Sequence, residues 1–186
     1  MTNFFSLFSA IIFIASYYFY IISIFRKETK PQKASWIIWS ITDLIILITL
    51  LLQSVSNYHL SFAATIGSIL IVFLSFKYGV SGWRKIDFIC LSVSGVGLLF
   101  WQLYNNPLVA LIILSLTQII ATIPTAVYVW KYPKTENKIS WGLFFIAGIF
   151  GVLAIPVWNP ENYVFPLSIL VVSIPFFIML FRDKNN

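Results

Sequence analysis

Phe25-Arg26-Lys27-Glu28-Thr29-Lys30-Pro31-Gln32-Lys33-Ala34-Ser35-Trp36 ends one long apolar run and opens another. At an offset of 105 residues the chain repeats itself as Trp130-Lys131-Tyr132-Pro133-Lys134-Thr135-Glu136-Asn137-Lys138-Ile139-Ser140-Trp141. Both copies pass from an aromatic residue through a basic loop to Lys-x-Ser-Trp. The offset persists outward without a gap. Ile14 matches Ile119, Ile41 matches Ile146, Asn57-Tyr58 matches Asn162-Tyr163, and Ser68-Ile69 matches Ser173-Ile174. Phe76 matches Phe181, and Lys77 meets the basic Arg182. Isoleucine matches are cheap in so apolar a chain, but Lys-x-Ser-Trp and Asn-Tyr at one offset are not. The unit is duplicated.

The 186 residues are 60% hydrophobic and 10% charged, whereas a soluble domain is nearer half and a quarter. The apolar residues fall into seven runs of about the length that crosses a bilayer as helix. They are Phe4 to Phe25, Trp36 to Gln53, Tyr58 to Phe76, Ile86 to Tyr104, Leu108 to Trp130, Ser140 to Val157 and Tyr163 to Phe181. Turn-forming stretches such as Gly79-Val80-Ser81-Gly82, Asn105-Asn106-Pro107 and Trp158-Asn159-Pro160 separate them. The runs are too long for barrel strands and lack period-two alternation, so helices are expected.

Charge orients the spans. Arg26, Lys27, Lys30 and Lys33 lie in the first connection, Lys77, Arg84 and Lys85 in the third, and Lys131, Lys134 and Lys138 in the fifth. Arg182 and Lys184 lie in the tail, which completes the 12 basic residues of the chain on one side. The other side carries Glu161 and His59. The positive-inside rule then puts the N-terminus outside and the C-terminus in the cytoplasm, with a bacterial cytoplasmic membrane as the expected location. The net charge of +6 reads as topology signal and lipid contact, with no nucleic-acid partner. Cys90 is the one cysteine, so no intrachain disulfide forms. The first run lacks a signal-peptide cleavage pattern and is expected to stay as a helix.

Two three-span units joined by one extra span point the same way across the membrane. The expected fold is an all-α integral membrane protein with seven transmembrane helices. A first three-helix repeat covers residues 1–77, a linker helix 78–106, and a second repeat 107–186. Parallel repeats of this kind are related by an axis along the membrane normal, with the path between them.

This 3 + 1 + 3 arrangement, with N-terminus out and about this length, resembles the SWEET and PQ-loop superfamily, which includes the PnuC vitamin transporters. Pro124-Thr125, just before the second basic loop, matches the Pro but not the Gln of a PQ-loop helix. Phe19-Tyr20 stands there in the first unit, and the literal Pro31-Gln32 lies in the loop. Where SWEETs hold sugar with an Asn in the third and seventh spans, this chain has Ser68 and Ser173 near those depths. The resemblance implies transport of a small molecule such as a sugar, vitamin or nucleoside by alternating access. The alternative is a heptahelical receptor or scaffold, as the KDEL receptor resembles PQ-loop proteins. A homo-oligomer is left open.

Transporters of repeat design bind substrate near the midplane, about ten helical residues from either face. Counted from the nearest basic residue, Tyr17, Asp43, Ser68, Thr122 and Ser173 share that depth on five different spans. Gln118 lies one turn further out. These six are the candidate substrate-binding residues. Ser and Thr also serve as ordinary helix-packing residues in membranes, but a mid-bilayer carboxylate costs several kcal/mol unless paired, hydrated or protonated, which singles out Asp43. Pro124 and Pro175 are candidate hinges, because a proline inside a helix removes a backbone bond and kinks it. Asp87 reads as a partner of Arg84 or Lys85, and His59 as an interfacial side chain without a second metal ligand. Trp36, Tyr58, Trp130, Trp141, Trp158 and Tyr163 read as belt residues at span ends. No metal site, cofactor or enzymatic motif is expected.

Overall fold

The computed structural model describes residues 2–52, 58–103 and 106–181. Gln53, Asn57, Tyr104, Asn105, Arg182 and Lys184, which enter the repeat, the span limits or the charge count, lie outside the described residues. Seven α-helices follow in order: α1 Thr2–Phe25, α2 Lys33–Leu52, α3 His59–Tyr78, α4 Lys85–Leu103, α5 Pro107–Lys131, α6 Lys138–Leu153 and α7 Pro160–Phe181. A single 3₁₀ turn, Pro133–Thr135, interrupts the α5–α6 connection. Among the described residues there is no strand.

Local chemistry fixes the helix ends. Asn106 caps α5, its side chain accepting from the amides of Leu108 and Val109, with Pro107 following where a missing N–H does no harm. Asn137 caps α6 through the Ser140 amide at 2.8 Å. Asp87 accepts from the Arg84 amide at 2.7 Å at the start of α4. Two ends differ from the apolar runs. Helix α2 begins at Lys33, three residues before Trp36. Helix α6 stops at Leu153 instead of Val157, because Pro156 offers no N–H and bars the helical conformation from the residue before it.

Five helices, α1, α2, α3, α5 and α7, are long and apolar enough to cross a bilayer, and α6 is apolar but spans 16 residues. Their faces are inverted relative to a soluble bundle. Helix α1 exposes Leu7, Ile11, Ile14 and Tyr18 and buries Ser6, Ser9, Ser16 and Ser23. Small hydroxyl residues between helices and large apolar ones outside are what a lipid solvent selects. The protein is an all-α membrane protein.

Six helices close into a ring in the order α1, α3, α2, α5, α7, α6, with α6 returning to α1. Helix α4 stands outside the ring, packed mainly on α5. Exchanging α1, α2 and α3 with α5, α6 and α7 maps every contact of this ring onto another. The mapping reaches single residues: Trp39 of α2 donates to the Gln118 carbonyl of α5 at 3.0 Å. Their equivalents at the 105-residue offset, Phe144 of α6 and Phe13 of α1, have ring centroids 4.8 Å apart.

The three basic connections gather at one end. The Lys30 amide donates to the Thr135 carbonyl at 3.0 Å, and the Val80 amide to the Pro31 carbonyl at 3.1 Å. Arg84 joins them, donating to Gln32 Oε1 at 3.1 Å, to the Pro124 carbonyl at 2.9 Å and to Asp87 at 2.8 Å. At the opposite end Ser6 Oγ and His59 Nδ1 lie 3.0 Å apart.

Candidate functional site

A cavity of about 50 Å³ lies inside the ring, with room for a few water molecules. Its lining comes from Phe13 and Tyr17 of α1, Trp36, Trp39 and Asp43 of α2, and Gln118 of α5. Trp141 and Phe144 of α6 and Ile169, Val172 and Ser173 of α7 complete it. Six of these side chains form a closed circuit of aromatic contacts. Phe13 meets Tyr17 at 5.5 Å between centroids, Tyr17 meets Trp36 at 6.1 Å, and Trp36 meets Trp39 at 5.0 Å. Trp39 meets Trp141 at 6.2 Å, Trp141 meets Phe144 at 5.4 Å, and Phe144 returns to Phe13 at 4.8 Å. Tyr17 and Phe144 also touch across the circuit at 5.0 Å.

One carboxyl faces this collar. Asp43 is 3% exposed, and the Gln118 amide nitrogen donates to its Oδ1. The amide oxygen of Gln118 accepts from Ser168 Oγ at 3.2 Å, and the Gln118 carbonyl accepts from Trp39 and from Thr122 Oγ1 at 3.1 Å. Gln118 thus fixes α2, α5 and α7 around Asp43. Among the described residues no cationic side chain pairs with Asp43.

The other candidate residues divide. Asp43, Tyr17, Gln118 and Ser173 line the cavity together. Tyr17 donates to the Ala64 carbonyl at 3.1 Å, and Ser173 donates to the Ile169 carbonyl at 2.8 Å. Ser68 sits beside Asp43 and Tyr17, fully buried, with its hydroxyl on the Thr65 carbonyl at 3.2 Å. It does not share the lining with Ser173. Thr122 is buried one turn from Gln118 and likewise off the lining. Pro124 lies inside α5 with its carbonyl held by Arg84, and Pro175 lies inside α7, which also contains Pro166. Asp87 pairs with Arg84 at 2.8 Å. Among the described residues no cluster of metal-ligating side chains occurs.

The belt reading of the tryptophans needs correction. Trp130 and Trp158 are exposed, at 58% and 65%, but Trp36 and Trp141 are 2% and 3% exposed and line the cavity. The signal was present in sequence: Trp36 and Trp39 are matched at the repeat offset by Trp141 and Phe144, three residues apart on one helix face in both units.

Beneath the two matched tryptophans, at the basic end, lies another buried carboxyl that the sequence pattern did not single out. Glu136, in the α5–α6 connection, accepts from Tyr20 Oη of α1 at 2.9 Å and from Trp141 Nε1 at 2.9 Å. Tyr20 is fully buried and packs on Trp36 at 5.2 Å. Burial pushes the Glu136 carboxyl up to about 8, against the two hydrogen bonds, which favour its charged form. Glu136 therefore ties both halves of the collar to the loop below it.

No family model matches this chain, and neither a curated protein nor a solved structure is similar to it. Fold and composition define the class: a helical membrane protein with a buried polar and aromatic centre.

Proposed function

We propose that the chain is a membrane transporter for a small polar metabolite, working by alternating access at the Asp43 cavity. The observation that carries this reading is the position of that cavity, between the two duplicated units and lined by helices of both. Repeat transporters bind at such an interface and rock one unit against the other. A buried carboxyl without a counter-ion is a functional residue by default in a membrane. The 3 + 1 + 3 order and its resemblance to SWEET, PQ-loop and PnuC proteins support seven crossings with the N-terminus out. The carrier is either a facilitator or coupled to protons through Asp43. Glu136, Tyr20, Trp36 and Trp141 form the closed side of the pathway at the basic end.

Purified protein in liposomes tests this by counterflow of labelled glucose, uridine and choline. Saturable exchange of at least one above empty liposomes is expected. In a proton-coupled carrier, Asp43→Asn keeps exchange but loses accumulation driven by a pH gradient. Binding without exchange would make the protein a receptor on this scaffold. If Asp43→Asn behaves as wild type between about pH 5 and pH 8 and Asp43→Ala only lowers the melting temperature, Asp43 is structural.

A further inference from the structure

We propose that the cavity takes an alkylated ammonium cation, with Asp43 as counter-ion and the aromatic collar as cage. The inference rests on reading this cavity as the substrate site. Three observations lead to it. Asp43 has only neutral partners, so its ionised form lacks a counter-ion within the protein among the described residues. A ligand that supplies the missing charge removes the penalty of a buried, unpaired carboxylate.

The rings supply the second argument. Phe13, Tyr17, Trp36, Trp39, Trp141 and Phe144 form an unbroken aromatic circuit around the same cavity. Faces of Trp, Tyr and Phe attract cations, above all weakly hydrated alkylated ones, and Trp is the strongest of the three. No lining residue among those described is basic.

The third argument excludes neutral polyols. A sugar needs many spare hydrogen-bonding groups, and among those of the lining only the Trp36 indole N–H lacks a partner. Gln118 uses both ends of its amide, on Asp43 and Ser168. Tyr17 donates to the Ala64 carbonyl and Ser173 to the Ile169 carbonyl. Trp39 donates to the Gln118 carbonyl and Trp141 to Glu136. An anion would meet Asp43 with no base to offset it. A cation offsets the Asp43 charge, and a hydroxyl on the same ligand can accept from the unpaired Trp36 N–H.

The test is a tryptophan-fluorescence titration of the full chain in nanodiscs, with choline, with its uncharged shape analogue 3,3-dimethyl-1-butanol, and with glucose. Choline is expected to bind saturably and about tenfold or more tighter than the analogue. Asp43→Asn should weaken choline and leave the analogue unchanged. Should Asp43→Asn fail to fold, Phe144→Leu, which removes one ring and spares the carboxyl, should weaken choline selectively. Equal binding of the analogue, saturable binding of glucose in its place, or non-saturable choline would overturn the proposal. Choline bound but never exchanged in liposomes sinks the transport reading and leaves the cation site standing. Glucose exchange without choline binding does the reverse.

Discussion

Tyr17 reaches the cavity because residue 67 has no side chain. A β-carbon built on Gly67 would lie 2.0 Å from Tyr17 Cδ2 and Cε2, so the ring rests directly on the α3 backbone. Gly67→Ala must therefore push Tyr17 off its seat on the Ala64 carbonyl. The expected destabilisation is that of overpacking, about 1–3 kcal/mol, with weakened ligand binding. Gly95→Ala in α4, with nothing within 4 Å of the added carbon, serves as control and should be neutral. Melting of both variants in detergent checks this, and an unchanged Gly67→Ala would show that Tyr17 is free to move. At this scale the polar centre was legible and its aromatic frame was not. Counting residues from the basic loops finds the depth of Tyr17, Asp43 and Ser173, because helical rise is constant. The same counting leaves Trp36 and Trp141 near helix ends, where an amphipathic indole is ordinarily interfacial. Only the third dimension brings them inside. The repeat also diverges where it matters. Asp43 corresponds to Gly148 and Gln118 to Phe13, so the duplicated halves contribute one polar pair between them.

The connection between α5 and α6 behaves as an element in its own right. Its 3₁₀ turn is pinned to the α1–α2 connection by the Lys30–Thr135 backbone bond, and Glu136 follows it into the protein under Tyr20 and Trp141. A sequence reading registers this stretch as a basic loop, since burial of one acid among three lysines has no pattern in one dimension. Its chemistry predicts a pH dependence. The folded protein holds the Glu136 proton up to about 8, whereas the ordinary carboxyl value is 4.5. Protons are then bound more tightly in the folded state, so stability is fullest below the ordinary value and is lost as pH rises through about 8. For one such proton the slope reaches about 1.4 kcal/mol per pH unit inside that window. Melting temperatures should fall as pH rises from about 5 to about 8, and Glu136→Gln, which keeps the acceptor oxygen for Tyr20 or Trp141, should flatten the curve. The same slope in Glu136→Gln would assign the effect to another group. Below its value near 8 the protonated carboxyl also leaves the collar without a fixed negative charge beneath it.

Across the whole molecule the ring order α1, α3, α2, α5, α7, α6 leaves two places where the units meet, α1 on α6 and α2 on α5. Duplication was legible from Lys-x-Ser-Trp alone. The order within each unit was not, because three helices of equal hydrophobicity can be arranged either way and neighbours in sequence need not touch. Here the third helix of each unit lies between the first two, so the first helix of one unit is free to contact the second helix of the other. If transport consists of one unit rocking on the other, strain concentrates at those two junctions while each unit moves as a body. A tether across a junction must then arrest exchange, and a tether inside a unit must not. Ser9 and Ala147 provide the first, since Ser9 Oγ donates to the Ala147 carbonyl at 2.7 Å across α1 and α6, and neither residue lines the cavity. Phe25 and Tyr78 provide the second, with rings 5.6 Å apart on α1 and α3 of one unit. In a Cys90→Ser background, Ser9→Cys with Ala147→Cys, joined by a short bifunctional thiosulfonate, should abolish exchange in liposomes and recover it on reduction. Phe25→Cys with Tyr78→Cys, joined in the same way, should exchange at the rate of the untethered protein. Arrest by both tethers, or by neither, would mean that substrate passes by motion of single helices and not of the units.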